Sequence, residues 1–187
     1  MEKTKKNVPP THEELISKIR NILSPFSEKL YIEKQDGIGL IQIFKDHHST
    51  IARVSYRIAF ADILLLDDKG NPLMVIEPET SFSPKTFGRS IFVYTIAEEI
   101  KVGEKRVRIK SPLLLMIVIP DDKNDIYRRR RQLEDIQYAF KKKVGLRKSQ
   151  LRDFRICQIS DFKETIKELL DKNGHSAYSR MIDVPMK

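Results

Sequence analysis

Two apolar runs joined by a polar turn, each carrying acid, constrain this chain more than any other feature. Phe60-Ala61-Asp62-Ile63-Leu64-Leu65-Leu66 is followed by Asp67-Asp68-Lys69-Gly70-Asn71-Pro72 and then by Leu73-Met74-Val75-Ile76-Glu77-Pro78-Glu79. Asp, Gly, Asn and Pro clustered between apolar runs mark a turn, so the runs are expected to pair as an antiparallel hairpin. Side chains alternate across a strand. Ile58, Phe60, Asp62, Leu64 and Leu66 should therefore share one face, and Leu73, Val75, Glu77 and Glu79 one face of the next strand. An ionised carboxylate inside such a run is costly unless it is paired, hydrogen-bonded or bound to metal, so Asp62 needs a positive neighbour. The hairpin brings it toward Glu77 and Glu79. Three clustered carboxylates repel unless a cation neutralises them, and hard oxygen ligands suit Mg²⁺ or Mn²⁺. The chemistry this points to is metal-assisted attack of water on a phosphodiester. Acids at strand ends are also commonly solvated or salt-bridged, and the residues alone leave that reading open.

At these positions the chain resembles the restriction-endonuclease-like nucleases of the PD-(D/E)xK superfamily. In that family an Asp ends one strand of a hairpin, and an acidic pair or acid-x-Lys follows on the next. Asp62 and Glu77-Pro78-Glu79 carry the match, in an ExE form, and the resemblance covers roughly residues 11–160. It implies an α/β fold with a central mixed β-sheet flanked by helices, in the order αβββαβαβ. It further implies a divalent-metal-dependent nuclease, with Mg²⁺ or Mn²⁺ as cofactor, acting on DNA as a homodimer. Asp62 and Glu77 would ligate the metal, and Glu79 would ligate it or position water. The first helix of this superfamily often lends an acid, here Glu13 or Glu14. Two departures stand out: Ala61 precedes Asp62 where Pro is frequent, and Glu79 occupies the place usually held by Lys. Lys85 in the following helix is the candidate for the missing lysine, with Arg89 one turn further on; either would stabilise charge on the phosphate. Pro78 has no N–H for a ladder and so marks a strand end or bulge. Two alternatives stay open: a nucleic-acid-binding protein of the same fold with a decayed site, and a structural partner in a nucleoprotein complex.

The charge distribution bears on partners. The net charge is +9, and residues 101–155 alone hold 17 basic and 7 acidic residues, so the whole surplus lies in that segment. Arg128-Arg129-Arg130-Arg131, Lys141-Lys142-Lys143 and Arg147-Lys148 stand out. Leu133, Ile136, Phe140 and Val144 recur at helical spacing, and an amphipathic helix turns its charged side to solvent in any case. The scarcity of balancing Glu favours phosphate contacts instead, with double-stranded or branched DNA as the expected partner.

With 187 residues the chain is one ordinary domain, expected over 11–172, with a flexible segment 1–10 and a C-terminal tail 173–187. No run approaches the length of a membrane helix and the N-terminus is charged without a following apolar stretch, so the expectation is a cytoplasmic protein with no membrane contact. Cys157, alone and in an apolar run, excludes an internal disulfide and a thiolate metal site. The remaining pattern predicts a helix over 11–23 capped by Thr11 with Glu14 in a capping box, and a strand over 37–44. A polar stretch with His47, His48, Ser49, Thr50 and Arg53 follows. Next come a helix from Ser83-Pro84 to Ile100, a central strand over 113–119, a strand over 154–159 and a helix over 163–170.

Overall fold

A computed structural model describes residues 10–35, 39–48, 53–122, 125–143 and 150–184. Helix α1, His12–Ile22, starts where its capping chemistry dictates. The Thr11 side chain accepts from the Glu14 N–H and the Glu14 carboxylate accepts from the Thr11 N–H, while Leu15, Ile16 and Ile19 turn inward. A short strand that the periodicity did not announce, β1 (Leu30–Ile32), follows, then β2 (Ile41–His48) and β3 (Arg53–Ala61). His47 and His48 thus lie on a strand rather than in a polar loop, whereas Ser49 and Thr50 fall outside the described residues.

The expected strand through Asp62 is not continuous. It ends at Ala61 and a new strand, β4, runs from Ile63 to Leu66, with Asp62 at the bend between them. β4 pairs antiparallel with β5 (Pro72–Pro78), in the register Ile63↔Ile76 and Leu64↔Val75. The turn between them follows its composition: Asp67 accepts from the N–H groups of Lys69 and Asn71, and Gly70 takes the positive φ that closes it.

Helix α2, Pro84–Ile96, is capped by Ser83 and stops four residues before the expected end, because Ala97 turns extended and Glu99–Val102 forms strand β6. Strand β7 (Lys105–Arg108) completes a second hairpin. The central strand β8, Leu113–Ile119, is buried along its whole length, as its unbroken apolar run requires. Helix α3 (Ile126–Lys143), strand β9 (Leu151–Gln158), helix α4 (Phe162–Lys172) and helix α5 (Ser176–Met181) close the chain. The segment expected as a tail is folded as far as it is described. Tyr178 and Ile182 are buried in the core, and the Tyr178 hydroxyl accepts from the Asp68 N–H at 2.8 Å.

These elements make an α/β architecture of two sheets with flanking helices. The larger sheet is mixed, in the order β1-β4-β5-β8-β9, with β5, β8 and β9 parallel; the smaller is antiparallel, in the order β3-β2-β6-β7. The connections β5-α2-β8 and β8-α3-β9 step in the same direction along the sheet. Crossovers of one hand then place both helices on the same face, where Phe87, Ile91, Tyr94 and Leu133 share a core with the small sheet. Helices α1, α4 and α5 cover the other face. Among the described residues no helix is long and apolar enough to cross a membrane.

Candidate active site

The break at Asp62 follows from the two sheets. Ala61 pairs with Ile41 in the small sheet, and Ile63 pairs with Ile76 in the large one, so the chain changes sheet at this residue. The bend is tied down by the Asp62 carbonyl, which accepts from the Glu33 N–H at 2.8 Å. Extending the β4–β5 register by one residue sets Asp62 opposite Glu77, near enough for its charge to raise the Glu77 pKa. Glu79 stands just past the end of β5, its N–H donating to the Val118 carbonyl at 2.8 Å. Pro78 is the last residue of β5, as its missing donor requires.

The three acids differ in environment. Glu77 is almost fully buried on the α2 side of the sheet and accepts a hydrogen bond from the Tyr94 hydroxyl. Burial, then the charge of Asp62, pushes its pKa well up, against the pull of Tyr94. The Tyr94 hydroxyl is itself raised, by burial first and by Glu77 second. Glu79 is raised by burial and by Asp62, with His12 and Arg89 opposing. Asp62 keeps about a quarter of its side chain exposed and contacts the His12 ring, Nε2 to Oδ2 at 3.3 Å. A partner for Asp62 is thus supplied by the first residue of α1, which the sequence did not single out. A histidine one residue after an N-cap carries no signal of what a strand fifty residues away will place beside it. Glu14 is used in the capping box and Glu13 is exposed.

Glu77 and Glu79 open into a cleft of about 490 Å³ between α2 and the outer edge of β3. Its lining is Arg57, Ile58, Ala59 and Phe60 from β3 and Thr86, Arg89, Ser90, Val93 and Tyr94 from α2. Of the two cations expected here, Arg89 faces the cleft, whereas Lys85 is exposed and outside the lining. Arg57 was not anticipated. Among the described residues no group of three or more His, Cys, Asp or Glu side chains is already arranged to hold a metal ion.

The basic helix is less uniform than its sequence. Arg129 is held by Asp122 at 2.8 Å with its guanidinium 4.2 Å from the centre of the Phe82 ring, and Arg130 is paired with Asp161. Lys141, half-buried, pairs with Asp153, which Lys172 also reaches at 3.0 Å. Arg128, Arg131, Lys142 and Lys143 are exposed, while Arg147 and Lys148 lie outside the described residues. Helix α3 packs close to α2: a Cβ at Gly88 would meet the Phe140 ring at 3.1 Å. The exposed cations therefore belong to the helix beside the one that walls the cleft. Comparison of the chain with known protein families, curated proteins and solved structures finds no match.

Proposed function

We propose that this chain is a divalent-metal-dependent nuclease that hydrolyses phosphodiester bonds in DNA through a restriction-endonuclease-like site. The observation that carries the reading is the register that sets Asp62 opposite Glu77 where the chain changes sheet, with Glu79 just past the strand end and an open cleft beside them. The order helix, antiparallel strands, helix and parallel strand around these acids supports it.

The donor set suits Mg²⁺ or Mn²⁺ in kind, being carboxylate oxygen throughout, and a buried acid beside a second acid is the environment a cation relieves. Asp62 and Glu77 would hold the ion, with Glu79 completing the set or orienting water. Bound there, it would polarise a phosphoryl oxygen and acidify a water. The chain's own groups do the rest. Tyr94 fixes the orientation of Glu77, and His12 holds Asp62. Arg89 sets a positive charge against Glu79 on the cleft wall, where the developing charge on a phosphate would fall. Lys85 stands at the exposed start of α2 as a further phosphate contact.

A binding protein with a decayed site is the second reading, and the observation on its side is that Asp62 and Glu77 already have protein partners in His12 and Tyr94. The test is incubation with supercoiled, linear, single-stranded and branched DNA in Mg²⁺, Mn²⁺ or EDTA, alongside Asp62→Ala and Glu77→Ala. Metal-dependent cutting that disappears in both variants supports the nuclease. Salt-sensitive binding with no cutting under any condition selects the second reading. Sedimentation of the same samples tests the homodimer.

A further inference from the structure

The wall of the cleft opposite the acids contains a device that the phosphodiester reading does not use. Strand β3 is an edge of the small sheet, and its pairing with β2 slips: Ala59 faces Ile43 and Arg57 faces Phe44, so Ile58 has no partner. Such a bulge inserts one residue and reverses the alternation beyond it. Without it, Arg57 and Phe60 would point to opposite faces. With it, Phe60 pairs with Gln42 and Arg57 with Phe44, two positions on the face of β2 opposite the core residues Ile41 and Ile43, and the Arg57 guanidinium lies 4.6 Å from the centre of the Phe60 ring. On that outer face Phe60 remains 42 % exposed, a large apolar ring at the rim of the cleft. Both residues line the cleft that Glu77, Glu79 and Arg89 also line.

We infer that this cleft receives one unpaired nucleotide, its base stacked on Phe60 and its phosphates held by Arg57 and Arg89, so that the substrate is single-stranded or locally unpaired nucleic acid rather than continuous duplex. The inference rests on the phosphodiester reading of the acids and names the substrate class of that site. The cleft volume is in the range of pockets that take a single small-molecule-sized group. A base in continuous duplex is stacked between its neighbours and presents only an edge, whereas an unpaired base offers its face to an aromatic ring and a guanidinium plane. Every base has such a face, so the contact selects for unpaired structure rather than for sequence. Thr86 and Ser90 supply hydroxyls on the α2 wall for sugar or phosphate oxygens.

The chain contains no tryptophan, so Phe60→Trp installs a single fluorescent ring at the proposed stacking position. Titration in EDTA, where no cutting occurs, with a short single-stranded oligonucleotide and with a blunt duplex of the same sequence reads stacking directly. The expected result is quenching of the Trp emission by the single strand and not by the duplex. Phe60→Ala should weaken single-strand binding by about 5- to 150-fold, leaving duplex binding and the circular dichroism spectrum unchanged. An emission that does not respond to the single strand, duplex binding as tight as single-strand binding, or a neutral Phe60→Ala would overturn the inference. A parallel Mg²⁺ arm keeps the two readings apart. Stacking without cutting removes the nuclease and upholds the cleft assignment; cutting of duplex with Phe60 silent removes the cleft assignment alone.

Discussion

Glu77 sits under the Tyr94 hydroxyl and against Asp62 with almost none of its carboxyl in water, which sets how the protein should respond to pH. Its folded pKa lies above the unfolded value. The folded state therefore gains nothing at low pH, where both forms are protonated, and loses stability as pH rises from the ordinary Glu range near about 4.3 through the raised folded value. Glu79 adds to the loss in the same direction. Glu77→Gln keeps the shape, still accepts from Tyr94 and can donate to Asp62. In EDTA at neutral pH it should melt higher than wild type by roughly 2–4 °C, with the gap closing toward pH 4, as measured by thermal denaturation across pH. Mg²⁺ or Mn²⁺ should raise the wild-type melting temperature at neutral pH and leave the variant unmoved.

At the scale of elements, the basic helix is fastened where its charge meets Asp153. This buried residue of β9 takes Lys141 from α3 and Lys172 from α4, and accepts from the Phe154 N–H at 2.8 Å. Burial acts to raise its pKa, but the hydrogen bonds from Lys141 and Lys172 prevail and hold it below the usual carboxylate range. The sign is opposite to that of Glu77: the stabilisation is present above the ordinary Asp value and is lost as pH falls through the folded one. Asp153→Asn should cost about 1–3 kcal/mol in urea unfolding at neutral pH, because Lys141 is left half-buried beside a neutral group, and the cost should fade as pH falls through the lowered folded value. The bulge in β3 and the end of β3 at Ala61 act at the same scale. One sets Arg57 and Phe60 together on the face of β3 opposite the core, at the rim of the cleft, and the other delivers Asp62 to Glu77.

For the whole molecule, the +9 charge divides into cations paired with carboxylates and cations that face solvent. Arg129, Arg130 and Lys141 answer to Asp122, Asp161 and Asp153, whereas Arg128, Arg131, Lys142 and Lys143 face solvent on the same helix. Replacing the four exposed residues with Ala should flatten the dependence of DNA affinity on salt by about 0.9 in log–log slope for each duplex phosphate no longer neutralised, and about 0.7 for single strands. Melting temperature should barely change. Arg130→Ala should instead lower stability with a smaller effect on the slope. Fluorescence anisotropy over a salt series, with thermal melts, checks both outcomes.

Whatever depends on neighbours along the chain was legible in the sequence. Thr11 and Glu14 cap α1, Ser83 and Pro84 open α2, Asp67 to Pro72 turn the hairpin, and the run Leu113–Ile119 could only be a strand buried on both faces. The same reading marked Asp62, Glu77 and Glu79 as acids the hairpin would gather, because an antiparallel register follows from a turn. What local pattern could not carry was the change of sheet at Asp62, where Ala61 pairs with Ile41 in one sheet and Ile63 with Ile76 in the other. Nor could it carry the arrival of His12 from fifty residues away, the pairing of three basic residues with Asp122, Asp161 and Asp153, or the bulge at Ile58. Periodicity reports which face a side chain takes while pairing is regular. Where the pairing slips or passes from one sheet to another, only packing against distant elements decides where that face points.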